Sequence, residues 1–431
     1  MNGRGTLPGN AVTNISTGEI KDMSTEITVC RSCNKPGLED FLDLGRTPLA
    51  DRILTPAQLK EHEPVYPLKV AFCPTCGLMQ ITETVEPDEL FCDDYPYFSS
   101  FSDYLLVHSK ENVLDIIERR KLGADSFVVE LASNDGYLLK NYVEHGISVL
   151  GIDPADGPAA AAEKIGVPTR NTFFTKALAQ ELAQQGSQAD VIHGNNVLAH
   201  VADTNGFVSG MADLLKEDGV IVIEAPYAKD LIDHCEFDTI YHEHLCYFSV
   251  TALNNLFRQH GLYLNETKQL PIHGGSLRLY VEKQENVGQS VKDLLALEQA
   301  EKVDKIDFYR DFSARVEKVK TALLELLTEL KSQGKSIAAY GAAAKGSTLI
   351  NYMGIGTDLI DFVVDRNIHK QGRFMPGQHI PIFAPEKIME ERPDYVLILP
   401  WNVTDEILKQ QQEYRDQGGK FIVPIPEPKI I

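Results

Sequence analysis

The feature that most constrains the fold is an alternation of strand-like and helix-like segments along residues 105–285. FVVELAS (127–133) is an apolar run typical of a buried strand, and the helix-like YLLKNYVEHG follows it. VLGID (149–153), DVIHGNN (190–196) and GVIVIEAP (219–226) are further strand candidates. Such an alternation predicts a mainly parallel, doubly wound α/β sheet.

A second, smaller alternation follows a long helical stretch at about 290–332. One apolar stripe on that stretch has spacings of three and four residues, as a packing helix requires: Phe312, Val316, Val319, Leu323, Leu326 and Leu330. The strand candidates SIAAYGA (336–342), LIDFVVD (359–365) and YVLILP (395–400) follow, with the helix-like TLINYM between the first two. Because 431 residues exceed one compact core, we expect a second, smaller α/β domain here.

Four of the seven cysteines form two CxxC pairs, Cys30–Cys33 and Cys73–Cys76, separated by 39 residues. A CxxC turn brings two sulfurs to one ion, and tetrahedral zinc takes four thiolates. The sequence therefore predicts a structural zinc site without an open position. The alternative is four reduced, unliganded cysteines. The other three, Cys92, Cys235 and Cys246, fit buried packing positions.

Charge and the amino-terminal segment limit the expected partners and location. The formal net charge is -21, and such a field repels both nucleic acid and anionic membranes. No apolar run reaches the roughly 18 residues that a membrane span needs. Residues 1–24 lack the apolar stretch of a signal peptide and indicate a disordered lead-in. We therefore expect a cytoplasmic protein without nucleic-acid or membrane partners.

VVELASNDGYLL (128–139) has the strand, tight turn and helix start of a nucleotide-binding loop, with Glu130 at the strand end and Gly136 in the turn. Ala132 and Asn134 replace the glycines of GxGxxG, which disfavours a dinucleotide such as NAD. Asp153, in GIDP after the next strand, is positioned to accept ribose hydroxyls. Together these residues indicate a nucleoside cofactor without a pyrophosphate, which points to S-adenosylmethionine. An ordinary strand–turn–helix is the alternative.

The whole series of motifs resembles one family. In order along the chain they are the cysteine pairs, VVELASNDGYLL, GIDP, GNNVLAHVAD, EFDTIYHEHLCYFS, HGGSLR and AYGAAAKGSTLIN. This series, over roughly residues 25–430, resembles the S-adenosylmethionine-dependent sugar C-methyltransferases, which methylate C-3 of nucleotide-linked 4-keto-6-deoxy sugars. The resemblance implies a lead-in (1–24), a small zinc-binding domain (25–90), a class I, Rossmann-like methyltransferase domain (91–285), and a helical linker with a second Rossmann-like α/β domain (286–431).

The reaction that the resemblance implies needs a base, because a carbon beside a ketone becomes nucleophilic only after losing its proton. The family's base role falls on His244 of YHEHLCYFS, with Tyr241 and Glu243 beside it in the active site. On an extended segment Tyr241 and Glu243 share one face, and His242 and His244 the other, unless a turn intervenes. His242 receives no role. Metal binding by the two histidines is a minor alternative, because no HExxH spacing is present.

Three further segments acquire roles through the resemblance. In GNNVLAHVAD, Asn196 contacts the methionine part of the cofactor, and His200 reaches the substrate as a second acid/base or enolate-stabilising group. Without the family, a packing histidine on a helix is the better interpretation of His200. In FCDDYPYFSS (91–100), Tyr95 and Ser99 lie near cofactor and substrate. Ser133 and Asn134 belong to the cofactor loop. Exposed linker aromatics packing on the zinc domain are the alternative for 91–100.

HGGSLR (273–278) and AYGAAAKGST (339–348) are candidates for binding the nucleotide diphosphate of the substrate. The backbone at His273, Gly274 and Gly275 can approach a ligand, and amides at a helix start beside Lys345 can bind phosphate. Tight strand–helix packing is the alternative.

Rival functions are an O- or N-methyltransferase and a non-catalytic zinc- and nucleotide-binding scaffold. The sequence leaves the sugar, the nucleotide, the stereochemistry, the pathway and the oligomeric state open.

Overall fold

The computed structural model describes residues 24–86, 90 and 98–431, with the backbone but not the side chain of His273. Three units follow one another along the chain: a small β unit, a central α/β unit and a carboxyl-terminal α/β unit. Among the described residues, no helix is long and apolar enough to cross a membrane. The predicted α/β fold with a small cysteine-bearing domain is confirmed.

The first unit is an antiparallel β domain around the cysteine pairs. Its strands are β1 (Ser24–Glu26), β2 (Glu39–Thr47), β3 (Tyr66–Phe72), β4 (Met79–Ile81) and β5 (Glu83–Val85). β2, β3 and β4 form one sheet, and β1 pairs with β5. On β3, Tyr66, Leu68 and Val70 alternate inward, as expected for a strand with one buried face.

The central unit is the doubly wound sheet that the alternation predicts. Its helices are α1 (Asp103–Arg120), α2 (Lys140–Glu144), α3 (Asp156–Lys164), α4 (Lys176–Gln184), α5 (Thr204–Leu214), α6 (Ala228–Asp233) and α7 (Val250–Gln259). Its strands are β6 (Phe127–Leu131), β7 (Ser148–Asp153), β8 (Thr169–Asn171), β9 (Ala189–Asn195), β10 (Leu215–Pro226), β11 (Cys246–Tyr247), β12 (Tyr263–Leu270) and β13 (Ser276–Glu282).

Seven of these strands form a sheet in the order β12-β13-β10-β9-β6-β7-β8. All neighbours are parallel except around β13, which runs antiparallel to both β10 and β12. Consecutive residues such as Val128 and Val129 are both fully buried, because helices cover both faces of the sheet. The carboxyl ends of β6, β7, β9 and β10 therefore meet along one edge, where doubly wound sheets bind their ligands.

β11 does not belong to that sheet. Cys246 and Tyr247 pair antiparallel with Gln80 and Met79 of β4, so the sheet of the first unit gains a fourth strand from the middle of the chain. The segment just before β11 contains the YHEH motif. The small β domain consequently takes part in positioning that motif.

The third unit begins with α8 (Gln289–Glu301) and α9 (Phe312–Ser332). It continues with β14 (Ile337–Tyr340), α10 (Ala344–Met353), β15 (Val363–Val364), β16 (Ile382–Phe383), α11 (Lys387–Glu391), β17 (Tyr395–Ile398), α12 (Thr404–Gln410), α13 (Gln412–Asp416), β18 (Lys420–Val423) and β19 (Lys429–Ile430). The strand order is β16-β15-β14-β17-β18-β19, with only β19 antiparallel. This order is the Rossmann-like arrangement that the resemblance implies.

The expected single helix at 290–332 is wrong in one respect, because the chain forms two helices. Lys302 follows the last residue of α8 in the left-handed conformation, and ten residues (302–311) separate α8 from the start of α9 at Phe312. On α9 the buried stripe includes Leu327, whereas the predicted Leu326 is only half-buried. At 3.6 residues per turn, the residue on the same face as Leu323 one turn later is Leu327. The prediction placed the adjacent Leu326 on that face.

Candidate active site

The four cysteines of the two CxxC pairs come together in the first unit. Their Sγ atoms lie within 4.8 Å of one another, with 3.5 Å between Cys30 and Cys76 and 3.6 Å between Cys33 and Cys73. A tetrahedron of thiolates around zinc has sulfur–sulfur edges of about 3.8 Å. Four mostly buried thiols at this spacing fit one tetrahedral zinc ion. The predicted zinc domain is therefore confirmed, with Cys30, Cys33, Cys73 and Cys76 as the fitting ligand set.

The cofactor loop has the backbone of a glycine-rich loop although two glycines are missing. Ala132, Asn134 and Gly136 all have positive φ angles, 55°, 49° and 77°. An L-residue in this region costs roughly 1 kcal/mol, so the surrounding fold must hold the first two in place. Packing at Gly136 is also tight, because a Cβ there would lie 3.1 Å from Val167 Cγ2. The loop thus turns tightly at the end of β6.

Buried polar atoms without partners surround this loop. Glu130, the penultimate residue of β6, has its Oε2 unpaired, and the hydroxyl of Ser133 and Oδ1 of Asp135 are also buried without a hydrogen bond. Burial, followed by the charges of Asp153 and Asp135, raises the pKa of Glu130 well above its ordinary value. Buried polar groups are normally satisfied, so these atoms indicate a polar ligand at the carboxyl end of β6. The predicted Glu130 and Ser133 fit this description.

Asp153 lies at the end of β7, where the ribose contact is predicted. Its Oδ2 accepts the amide of Asn134 at 2.8 Å, and its Oδ1 accepts the amide of Ala155 at 2.9 Å. Each carboxylate oxygen has a second lone pair, so the group can still accept hydroxyl hydrogens. The two amides fix the carboxylate beside the cofactor loop. Burial raises the pKa of Asp153, an effect that these two backbone hydrogen bonds oppose.

The segment before α1 contacts the same loop. The Ser99 amide donates to Asn134 Oδ1 at 2.8 Å, and the Ser100 amide donates to Asp135 Oδ2 at 3.1 Å. Ser99 is therefore next to a predicted cofactor residue, and it is buried. Tyr95 lies outside the described residues.

The sequence did not predict the buried charged cluster at the ends of β10 and β13. Arg278 Nε donates to Glu224 Oε1 at 2.7 Å, and His108 Nε2 of α1 lies 2.9 Å from Glu224 Oε2. The backbone connects this cluster to Asn196, whose amide donates to the Glu224 carbonyl at 2.8 Å and whose φ is 52°. Burial raises the pKa of Glu224, but His108 and Arg278 outweigh it and keep the pKa below normal. The glutamate within the otherwise apolar run GVIVIEAP was the sequence signal that could have revealed this cluster.

The YHEH segment is a turn and not an extended strand, so the face assignment for an extended chain is wrong. The His244 amide donates to the Tyr241 carbonyl at 2.9 Å, which brings the two side chains together. Tyr241 Oη lies 2.8 Å from His244 Nε2, and the ring centroids are 4.0 Å apart. His244 Nδ1 lies 2.9 Å from the Thr239 carbonyl, which can only accept. Nδ1 therefore carries the proton, and the lone pair of neutral His244 is on Nε2.

His200 joins this pair from the other side. It ends a 3₁₀ turn after β9 (Leu198–His200), and its ring centroid lies 4.8 Å from that of His244 in an edge-on arrangement. Burial lowers the pKa of His200 to about 4, so this imidazole is neutral near pH 7. Its Nδ1 is buried and has no hydrogen-bond partner. The structure thus brings together three of the four predicted catalytic residues, Tyr241, His244 and His200.

His242, the remaining histidine of the motif, faces the small β domain. His242 is fully buried, its Nε2 lies 3.0 Å from the Pro67 carbonyl, and its ring packs edge-on against Tyr66. This contact gives His242 a structural role, which the sequence did not reveal. Glu243 is 7% exposed with its Oε2 unpaired. Burial and the nearby Asp51 raise the pKa of Glu243 to about 8, so its carboxyl group is largely protonated at pH 7.

Carboxylates face the two adjacent glycines at 274 and 275. A Cβ at Gly274 would lie 2.6 Å from Glu236 Oε2, and one at Gly275 would overlap the Asp230 carboxylate. Burial raises the pKa of Glu236 to about 8. The carboxyl groups of Glu236 and Asp230 fill the space beside the two glycines, so this geometry does not favour a diphosphate there. The side chain of His273 lies outside the described residues.

Lys345 lies in the first turn of α10, as predicted. Its Nζ donates to Asn402 Oδ1 at 2.8 Å and lies 4.9 Å from the centre of the Trp401 ring. Trp401 Nε1 in turn donates to Asp238 Oδ2 at 2.8 Å, while Oδ1 of the fully buried Asp238 has no partner. Burial lowers the pKa of Lys345, although Asp238 and Glu236 oppose this effect. The lysine therefore lies between the central unit and the third unit.

Stability should depend on pH through Glu236. Its folded pKa, about 8, exceeds the ordinary value of 4.5, so the folded state holds the proton more tightly. Stability therefore falls as pH rises from about 4.5 to 8. We expect Glu236→Gln to be more stable than wild type at pH 8.5, by on the order of 2 kcal/mol, and equal to it near pH 4.5. Thermal unfolding at both pH values, with the exposed Glu144→Gln as control, measures this. A pH-independent difference would contradict it.

Known families match all three units. Residues 30–91 match a zinc binding domain family, and residues 107–267 match a methyltransferase domain family. Residues 271–426 match the family described as C-methyltransferase C-terminal domain. The three matches follow the order of the β unit, the central unit and the third unit.

One relative is similar along the whole chain. The C-methyltransferase NovU from Streptomyces niveus is 36% identical over 415 residues, which cover 96% of this chain and 99% of NovU. A ubiquinone biosynthesis O-methyltransferase from Rhizobium etli (strain CIAT 652) is 32% identical over 100 residues, 22% of this chain and 39% of its own. The structure of magnesium protoporphyrin IX methyltransferase from Synechocystis PCC 6803 with bound SAM is 13% identical, with a TM-score of 0.33, and covers 42% of this chain and 82% of its own. The similarity to NovU includes all three units.

Proposed function

Because the chain belongs to the S-adenosylmethionine-dependent C-methyltransferase family that includes NovU, we propose that it methylates C-3 of a nucleotide-linked 4-keto-6-deoxy sugar. The reaction would pass through an enolate formed by general-base proton abstraction. The observation that carries this proposal is the Tyr241–His244–His200 cluster, in which the Thr239 carbonyl fixes the proton of His244 on Nδ1. The non-catalytic scaffold has no use for such an arrangement.

His244 is the base in this proposal. The Thr239 carbonyl fixes the proton on Nδ1, so Nε2 is the atom that accepts the C-3 proton. The Thr239 contact also stabilises the imidazolium that results, because its Nδ1 proton then faces a carbonyl oxygen at 2.9 Å. A histidine suits this task, since its unperturbed pKa lies near neutrality.

Tyr241 and His200 can support the enolate. The single lone pair of Nε2 accepts the Tyr241 hydroxyl hydrogen in the free protein, so this hydroxyl must turn to the C-4 oxygen of the substrate before Nε2 takes the C-3 proton. When that proton leaves, the C-4 carbonyl oxygen gains negative charge, and a hydroxyl donor there lowers the barrier. His200 stays neutral, so it adds no positive charge that would oppose protonation of His244. Glu243, when protonated, can donate to a sugar oxygen.

We propose that Glu130, Ser133, Asn134, Gly136 and Asp153 hold the nucleoside and methionine parts, with Ser99, Tyr95 and Asn196 beside them. The unpaired buried atoms of Glu130 and Ser133 support this placement. S-adenosylmethionine supplies an electrophilic methyl group for transfer to the enolate carbon. The chain's own contribution is to hold the base, the donors and the reacting carbon in one dry space.

Two segments are candidates for binding the nucleotide diphosphate, and the geometry favours the start of α10 over Gly274 and Gly275. Lys345 is in the first turn of a ten-residue helix that no side chain caps, whereas carboxylates face Gly274 and Gly275. A helix start with a lysine attracts phosphate. The proposal is therefore that the diphosphate lies near Lys345 and the sugar extends towards His244.

Lys345→Ala should weaken binding of a nucleoside diphosphate about tenfold, since a charge-assisted hydrogen bond contributes about 1.5 kcal/mol or more. Titration calorimetry with several nucleoside diphosphates measures this effect. Lys387→Ala, which removes a lysine paired with Glu391 on α11, is the matched control and should bind as wild type does. Equal affinities for the two variants would reject the phosphate role of Lys345.

The proposed reaction is tested by mass spectrometry after incubation with S-adenosylmethionine and a panel of nucleotide 4-keto sugars. The expected product carries one methyl group in place of one hydrogen, so it is heavier than the substrate by CH₂. A parallel incubation in D₂O without S-adenosylmethionine should exchange the C-3 hydrogen, and NMR locates the exchanged carbon. A ketone at C-4 acidifies both C-3 and C-5, so exchange at C-5 alone would move the methylation site. Methylation on oxygen or nitrogen, without carbon exchange, would support the rival class.

A further inference from the structure

Gln80 of β4 is fully buried between the zinc ligands and the YHEH segment. Its Nε2 lies 3.2 Å from Cys30 Sγ, and its Oε1 accepts the Arg31 amide at 3.0 Å. The backbone amide can only donate, so the orientation of the Gln80 amide is fixed. Nε2 therefore donates to the sulfur.

The backbone of the same strand reaches the histidine pair. Gln80 is paired with Cys246 in the β4–β11 ladder, and the Ile81 amide donates to the Leu245 carbonyl at 3.1 Å. The Leu245 amide donates in turn to the Ala199 carbonyl at 2.8 Å. Leu245 directly follows His244, and Ala199 directly precedes His200. Each of the two histidines is therefore the chain neighbour of a residue that β4 holds through these two consecutive backbone hydrogen bonds.

We propose that Gln80 is a positioning residue that couples the zinc site to His200 and His244. On the metal side it supplies an N–H···S hydrogen bond, which stabilises the thiolate of Cys30 and fixes its direction. On the other side its strand fixes the spacing between the two histidines. The importance for turnover rests on the proposed function, whereas the metal contact and the spacing do not.

Gln80→Met tests the metal side. Methionine has a similar length but cannot donate or accept as the amide does, so the contact is lost with little change in packing. We expect zinc affinity, measured by competition with a chromophoric chelator, to fall 10- to 100-fold. The thiolate-to-metal absorption band of the cobalt-substituted protein should shift as well. Unchanged affinity and an unchanged band would overturn the proposal.

Thr82→Val is the matched control. Thr82 is buried next to β4, and its hydroxyl has no hydrogen-bond partner, so valine removes no bond of the folded state. This variant should keep wild-type zinc affinity. If it weakens zinc as much as Gln80→Met does, the effect belongs to general packing and the proposal fails. Gln80→Glu is a second variant, which keeps the acceptor for the Arg31 amide but loses the donor to Cys30, and it should also weaken zinc.

The coupling between Gln80 and the two histidines can be measured by NMR in the absence of substrate. In protein with isotopically labelled histidines, variants at His200 and His244 assign the two imidazole signals. Zinc-saturated Gln80→Met should shift both signals, while the signal of the distant His145 stays in place. Unmoved signals would overturn the coupling. Methyl transfer should also fall several-fold at unchanged affinity for S-adenosylmethionine. If no sugar substrate is methylated by wild type, the proposed function fails while the zinc and imidazole results still decide the role of Gln80.

Discussion

His244→Asn is expected to bind S-adenosylmethionine as wild type does and to lose methyl transfer by at least about 100-fold, the usual contribution of a general base. Deuterium exchange at C-3 should be lost with it, because exchange requires only the proton abstraction. Asparagine keeps a donor for the Thr239 carbonyl, so the turn should survive. Rapid-quench mass spectrometry measures transfer, and NMR in D₂O measures exchange.

His242→Asn provides the contrast within the same motif. His242 contacts Pro67 and Tyr66 of the β domain, so we expect a lower melting temperature with exchange retained in the folded fraction. His244→Asn should therefore affect the chemistry and His242→Asn the packing, although the two residues are only two positions apart. Retained exchange in His244→Asn would remove His244 as the base and leave Tyr241 or His200 as candidates.

Arg278→Met should be the most destabilising of the substitutions considered. Arg278 and Glu224 are 6% and 1% exposed, so the substitution leaves a buried carboxylate with His108 as its remaining side-chain partner. Removing one partner of a buried ion pair costs about 3–5 kcal/mol. Denaturant unfolding followed by a probe in the central unit measures the loss. The double variant Arg278→Met with Glu224→Gln should recover part of it, since the uncompensated charge is gone.

Arg119→Met is the control for this ion pair. Arg119 binds Glu266 at 2.5 Å, but the two side chains are 39% and 43% exposed and lie in water. An exposed pair contributes about 1 kcal/mol or less. If both arginine variants lost the same stability, burial of the Glu224 pair would not be the cause of its strength.

The strands of the central unit could be predicted because burial on both faces produces continuous apolar runs. FVVELAS, VLGID and DVIHGNN each correspond to a strand with bounds shifted by one or two residues. The zinc ligands could also be predicted, because each CxxC turn is a local geometry that two cysteines at a fixed spacing determine. Both signals are short-range, and neither depends on contacts with distant parts of the chain.

The details of the site depend on such distant contacts and were missed for that reason. The role of His242 follows from Pro67, which lies 175 positions earlier, and the tautomer of His244 follows from a turn. The carboxylates of Asp230 and Glu236 lie about 40 residues from the glycines that they face. In each case the tertiary fold determines which residue is the partner, and residue type and spacing alone do not predict that residue.

The β4–β11 pairing has a consequence for the synthesis of this protein. Cys246 leaves the ribosome 166 residues after Gln80, which corresponds to on the order of 10–30 s of translation. During that interval the edge of β4 has no partner strand, and an open edge invites pairing with other chains. A fragment that ends before Cys246 should therefore aggregate even with its zinc bound, so the amino-terminal domain is best produced together with the chain that completes its sheet.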